Sequence, residues 1–168
     1  MDNSTNRQKL VLIARSFRTA MVTTRGLDGT PHTRPMSVAR IDDNGDMWFA
    51  TGINSTKFSE IEANSQTSIV MQSGLCFAAF SGTAEGVVDR YLARKLWKEA
   101  WRPWFPGGPT DPELKLMCVH LDHGEYWDLT GLRGVRYVVD AVRHALAGKR
   151  MSEEADDERH GIADFAHV

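Results

Sequence analysis

The sequence predicts a mainly β, α+β fold: a small six-stranded antiparallel barrel with flanking helices. Three observations carry that prediction. Short apolar runs of strand length are separated by Asp28-Gly29, Asn44-Gly45 and Ser73-Gly74, which are turn signals of the hairpin type. Glycines recur inside one such run, at Gly82 and Gly86, where a barrel needs bulges or corners. The regular βα alternation of a parallel sheet is missing, as is a GxGxxG turn, which argues against a dinucleotide-binding α/β fold.

The elements follow in order. Thr5 and Gln8 have capping-box spacing, and Leu10, Ile13, Ala14 and Phe17 then make the apolar stripe of an amphipathic helix. Residues 20–24 read as a strand, and residues 30–41 as a long partner strand containing Pro31 and Pro35. Proline cannot donate to a sheet ladder, so two in one strand mark a place where regular pairing is interrupted, as it would be beside a ligand. Residues 47–51 form the next strand. A helix over 57–63 follows, with Asn54 or Ser55 as its N-cap. Residues 67–72 and 76–89 pair through Ser73-Gly74. Residues 90–101 read as helix, 103–112 as a Pro/Gly-rich loop, and 114–128 as a long strand bent near His123-Gly124. After Gly134, Val135, Val138, Val139, Val142 and Leu146 form a helical stripe that Gly148 would stop. From Met151 the composition turns acidic, with Glu153, Glu154, Asp156, Asp157 and Glu158. The expected organisation is therefore one barrel domain over 1–150 and a poorly ordered or loosely docked acidic tail over 151–168.

Bulk properties narrow the function. The chain has 168 residues, 42% hydrophobic and 25% charged, which is ordinary for a soluble globular domain with a real core. A net charge of −2 does not support a broad electrostatic grip on nucleic acid. No apolar run has the length of a membrane span, and the polar N-terminus lacks a signal-peptide core. Cys76 and Cys118 sit in apolar, strand-like runs and read as buried free thiols rather than a disulfide pair. These features lead us to expect a cytoplasmic protein without a membrane or nucleic-acid partner.

The richest stretch is Arg34-Pro35-Met36-Ser37, followed by Ala50-Thr51 and by Asn54-Ser55-Thr56-Lys57. Lys57 falls in the first turn of the 57–63 helix. A helix start offers unpaired N–H groups and partial positive charge, which suit a phosphate. Ser55 and Thr56 add hydroxyls, Lys57 a full charge, and Arg34 a fork-shaped donor from the neighbouring strand. An ordinary capped surface helix has the same local features.

The order of these pieces resembles the pyridoxamine 5′-phosphate oxidase-like, FMN-binding split-barrel proteins, and within them the general stress protein branch. The resemblance rests on Met21-Val22-Thr23-Thr24, Pro31 through Ser37, Met47 through Thr51, Ser55-Thr56-Lys57 leading into Phe58-Ser59-Glu60-Ile61, Ser81 through Glu85, and Glu125-Tyr126-Trp127-Asp128. It implies a split barrel and a homodimer holding the flavin nucleotide, FMN with FAD as the alternative, in a groove between subunits. It also implies site residues. Backbone of Arg34, Pro35, Met36, Ser37 and Val38 would run along the ring. Ala50 and Thr51 would touch ring and ribityl chain. Ser55, Thr56 and Lys57 would hold the phosphate, and Trp127 would reach the flavin edge across the dimer. Thr56 stands where many relatives carry arginine. The arginine-histidine pair with which the true oxidases grip pyridoxamine phosphate has no match after Trp127. Flavin binding is therefore expected and oxidation of that substrate is not. An NAD(P)H:flavin reductase and a binding protein without turnover both stay open, a pyridoxamine 5′-phosphate oxidase-like enzyme is a third reading that would require product formed from that substrate, and no catalytic residue is identified.

Other groups give weaker signals. His120, His123 and Glu125 do not converge on a flat strand, so no metal site is expected. Trp97, Trp101 and Trp104 have the spacing of one helix face, which suits packing or a subunit interface, and Trp97 or Trp101 could also wall a pocket over the flavin. Arg90, Arg94, Lys95, Lys98 and Arg102 read as a solvated basic face. Ser37 and Ser81 lack the base and elbow glycines of a nucleophile.

Overall fold

A computed structural model describes residues 3–130 and 160–165, together with residues 139, 142, 143 and 146. Helix α1 (Asn3–Ser16) buries Leu10, Val11 and Ala14, and Phe17 follows them into the core. The helix begins earlier than the capping-box spacing indicated. Thr5 and Gln8 lie inside it, and Asn3 and Asn6 turn their side chains to the backbone of a distant strand.

Six strands come next: β1 (Thr19–Arg25), β2 (Pro31–Ile41), β3 (Met47–Gly52), β4 (Gln66–Ser73), β5 (Cys76–Val87) and β6 (Leu114–Asp128). Helix α2 (Thr56–Ala63) lies between β3 and β4, and α3 (Arg90–Leu96) between β5 and β6. The sheet runs β3-β2-β1-β4-β5-β6, and an antiparallel β3–β6 pairing closes it into the expected six-stranded barrel. Gly29, Gly45 and Gly74 occupy the hairpin tips with positive φ, Gly45 at 97°, which glycine adopts without a Cβ penalty.

The barrel is split where the prolines predicted. β2 pairs with β3 only from Val38 onward, and the register shifts between Val38 and Arg40. Pro31 to Ser37 pair with β1 alone. Ala50, Thr51 and Gly52 turn instead to β6. A gap thus opens between β2 and the end of β3. On the other side, the β5–β6 register shifts at Ser81/Gly82, and a Cβ on Gly82 would overlap the His120 carbonyl. The expected bulge glycine is therefore required by a close backbone approach.

Two expectations are corrected. The helix read over 90–101 ends at Leu96. Trp97 and Lys98 are extended, and a separate 3-10 turn covers Glu99–Trp101. Trp97, Trp101 and Trp104 therefore do not share one helix face. The break lets Trp101 and Phe105 turn into a second apolar cluster with Ala93, Leu96 and Leu116. Burial of two aromatic side chains outweighs helical continuity here. Second, part of the acidic tail is docked. Strand β7 (His160–Asp164) pairs antiparallel with β6 residues 123–127, and Phe165 beyond it is fully buried. Ile162, Ala163 and Phe165 supply strand and core residues that the acidic composition upstream had masked. The acidic run itself, the 150/151 boundary and most of the valine stripe lie outside the described residues; Val139, Val142 and Leu146 are helical.

Candidate functional site

The gap between β2 and β3 forms the mouth of a cleft of about 510 Å³. β2 contributes Pro35, Met36 and Ser37, β3 contributes Ala50 and Thr51, and α2 contributes Lys57. The segment after the α3 break supplies an aromatic wall of Trp101, Trp104 and Phe105, with Thr19 and Glu113 completing the lining.

Lys57 sets the polar end. Its Nζ donates to Ser55 Oγ at 2.7 Å and Thr51 Oγ1 at 3.0 Å. Among the described residues no carboxylate lies within ion-pairing distance of it. Burial, and then the Arg34 charge, push its pKa below the usual lysine value. Ser55 is the N-cap of α2, yet its hydroxyl makes no capping bond. It faces the ammonium group instead. Two hydroxyls and an ammonium group thus meet beside the start of α2, with no carboxylate in ion-pairing distance of Lys57 among the described residues, and such a donor set fits a phosphate.

Arg34 stands at the edge of this site with its fork already engaged. Nη1 and Nη2 reach Glu60 Oε2 and Oε1 at 2.9 and 2.8 Å, and Nη1 also donates to Thr24 Oγ1 at 2.9 Å. Thr24 Oγ1 donates to Glu60 Oε2 at 2.5 Å, and His32 Nδ1 lies 2.8 Å from Oε1. Glu60 is 4% exposed. The Arg34 hydrogen bonds outweigh its desolvation and hold its carboxyl at about 2, below the usual carboxylate range. Arg34 therefore braces α2 against β1 and β2, and Lys57 is the uncompensated cation of the cleft.

The remaining sequence-derived positions divide by place. Ser55 and Thr56 immediately precede Lys57 at the helix start. Val38 lies behind the cleft wall, buried, and its carbonyl accepts from Lys98 Nζ at 2.5 Å. Trp127 is elsewhere on the sheet, opposite Phe77 on β5 and stacked on His160 at 5.2 Å. Trp101 does wall the cleft, while Trp97 meets it edge-on at 5.9 Å from behind. The Trp101 Nε1 is buried without a hydrogen-bond partner among the described residues. Trp104 and Phe105 were not singled out for the site from sequence; their signal was the aromatic density of 97–105.

The histidines diverge, as their spacing implied. His123 contacts Asp164 at 3.0 Å and Glu125 at 3.6 Å, whereas His120 belongs to a different cluster across β3 and β5. Both cysteines are free. No helix is long and apolar enough to cross a membrane among the described residues.

Comparison with known proteins agrees with this architecture. The family model described as "Pyridoxamine 5'-phosphate oxidase like" matches residues 5–152. Protein bli-3 of Neurospora crassa is 28% identical over 146 residues, spanning 80% of this chain and 69% of its own. A putative general stress protein 26 from Jannaschia superposes with a TM-score of 0.69 at 21% identity, covering 97% of this chain and 99% of that one. A general stress FMN/FAD binding protein from Xanthomonas citri gives a TM-score of 0.62 at 29% identity, covering 73% and 88%. A split antiparallel barrel and a family match over most of the chain lead to one conclusion: the chain belongs to the pyridoxamine 5′-phosphate oxidase-like family, and general stress proteins are among its structural relatives.

Proposed function

We propose that the cleft binds FMN, and that the protein works as a flavin-binding general stress protein in which two copies enclose the cofactor. The uncompensated, half-buried Lys57 at an open helix start carries this reading. Lys57, Ser55 and the first turn of α2 would hold the phosphate. Backbone of Pro35 to Val38 would line one side of the ring, and Ala50 and Thr51 the ring and ribityl chain. Trp101 and Trp104 would shield the ring from water. A bound flavin supplies hydride and electron transfer at its isoalloxazine ring. No residue of the cleft is placed as a general acid or base, so the chain's part is binding, orientation and exclusion of water.

The second copy has a surface to meet. Pro35, Met21, Val70, Ala79, Glu125 and Ile162 follow one another across neighbouring strands. Met21, Val70 and Ile162 are 42–45% exposed, so the row is a mostly uncharged band on the outside of the sheet beginning at the cleft. Trp127 pairs with Phe77 and His160 on the same strands, which suits a residue reaching the flavin edge of the other copy.

The test is the visible spectrum of the purified protein, with the released cofactor identified by mass. Lys57→Ala should weaken FMN affinity by about 1–3 kcal/mol through lost charged hydrogen bonds. Unchanged affinity would place the phosphate elsewhere. NAD(P)H oxidation by the loaded protein, compared with free FMN, separates a reductase from a protein that only binds flavin. Pyridoxamine phosphate is not proposed as substrate, because Asp128, Leu129 and Thr130 stand after Trp127 where the oxidases carry their gripping arginine and histidine.

A further inference from the structure

A second polar cluster lies at the far end of β3 from the cleft. Cys118 and His120, two residues apart on β6, share the face opposite to Met117, Val119 and Leu121, which point into the barrel core. Asp46 precedes Met47, the partner of Val119 on β3, and Glu85 on β5 is the direct partner of Cys118. Strands β5 and β6 and the turn leading into β3 thus bring a thiol, an imidazole and two carboxylates to one patch. The ligating atoms of Asp46, Cys118 and His120 all lie within 4.8 Å of one another.

The contacts distribute the roles. His120 Nδ1 is 3.0 Å from Asp46 Oδ1, and Nε2 is 3.3 Å from Glu85 Oε1. A ligating histidine commonly gives its second ring nitrogen to a carboxylate, which fixes tautomer and orientation. Glu85 already stands in that place. Zinc bonds of about 2.0–2.3 Å put donor atoms roughly 3–3.7 Å apart, so closure needs side-chain shifts of about 1 Å. Cys118 is fully buried and the Asp46 side chain is 13% exposed, while His120 is more open at 36%. The inner ligands are thus dry, and the outer side is open to a water. A mixed sulfur, nitrogen and oxygen set favours zinc-class cations over calcium or magnesium, which take oxygen ligands.

We propose that Asp46, Cys118 and His120 bind one zinc-class divalent cation, with Glu85 orienting His120 and a water completing a tetrahedron. Binding exchanges the thiol proton for the metal and releases that proton to solvent. The partners of His120 are not His123 and Glu125 on its own strand. They come from β5 and the turn leading into β3.

The experiment uses untagged protein, treated with a chelator and titrated with Co²⁺ as a visible probe for Zn²⁺. We expect one equivalent bound with a tetrahedral cobalt spectrum and a near-ultraviolet thiolate-to-cobalt band. That band should persist in Cys76→Ser and vanish in Cys118→Ser. His120→Asn should weaken binding at least tenfold, and Glu85→Gln about tenfold or more, as second-sphere changes do. Far-ultraviolet circular dichroism reports folding of each variant, and none of these residues lines the cleft. If Cys118→Ser does not fold, the His120→Asn and Glu85→Gln titrations and the band in wild-type protein carry the test. Absence of binding, cobalt bound without the thiolate band, or affinity unchanged in His120→Asn would each overturn the proposal, whatever the flavin result.

Discussion

Glu60 holds its charge inside the barrel end, and everything around it is arranged to keep that charge. Arg34 supplies a two-point fork, Thr24 a hydroxyl and His32 a ring nitrogen. Removing the fork leaves a buried carboxylate short of its counter-charge, so Arg34→Ala should cost about 3–5 kcal/mol of stability in urea unfolding. The pH dependence has a definite sign. The folded-state pKa of Glu60, at about 2, lies below its ordinary value of 4.5. Its stabilisation is therefore complete above the ordinary value and is lost as pH falls from there towards 2. Stability measured at pH 7 and pH 3 should fall less steeply in Glu60→Gln than in the wild type; equal slopes would remove Glu60 from the account. Arg34 was visible in the sequence as a fork-shaped donor, but its partner was not. Glu60 sits 26 residues away in a short amphipathic helix and looks there like any solvent-facing acid. Lys57 was legible because its signal is local, a cap, two hydroxyls and a lysine within one turn.

At the level of elements, local turn chemistry carried most of the reading. Asn44-Gly45 and Asp28-Gly29 place their strands because positive φ is a property of a few residues and needs no knowledge of the rest of the chain. Gly82 adds a tertiary reason: its strand and β6 approach too closely there for any side chain. Gly82→Ala should destabilise by more than about 2 kcal/mol, as backbone clashes at close approaches do. Gly52→Ala, where a Cβ would meet nothing within 4 Å, is the matched control. Equal loss in both variants, read by thermal unfolding, would remove the bulge from the argument. The end of α3 was not legible. Residues 90–101 keep helical composition throughout, and only the second apolar cluster explains why the chain breaks at Trp97 and turns Trp101 towards the cleft.

For the whole molecule, the strand arrangement pairs one edge of β6 with β5 and divides the other edge between two partners. Its first half pairs with β3 to close the barrel, and its second half pairs with β7. Phe165 anchors the added strand, so Phe165→Ala should cost about 3–5 kcal/mol, the usual range for emptying a buried aromatic site. If chemical denaturation shows no change, β7 is an appendage and not part of the cooperative unit. The six-stranded barrel followed from turns and glycines, whereas β7 was hidden by composition, because five residues of strand weigh little beside an acidic stretch.

Asn3 and Asp164 exchange hydrogen bonds across 161 positions, and Arg7 covers the ring of Phe165 at 5.2 Å. Helix α1 meets β7 more extensively than any other strand. On the ribosome, where about 5–20 residues are added each second, the first helix waits roughly ten to thirty seconds for its last partner to emerge. Through that interval the second half of the outer edge of β6, once made, has no mate, and the underside of α1 is only partly covered. The nascent chain is then most open to chaperones and to strand exchange with a second chain. In the finished fold the two ends of the described chain lie side by side, so joining them through a short linker and opening the Asp28-Gly29 turn is a natural site for circular permutation.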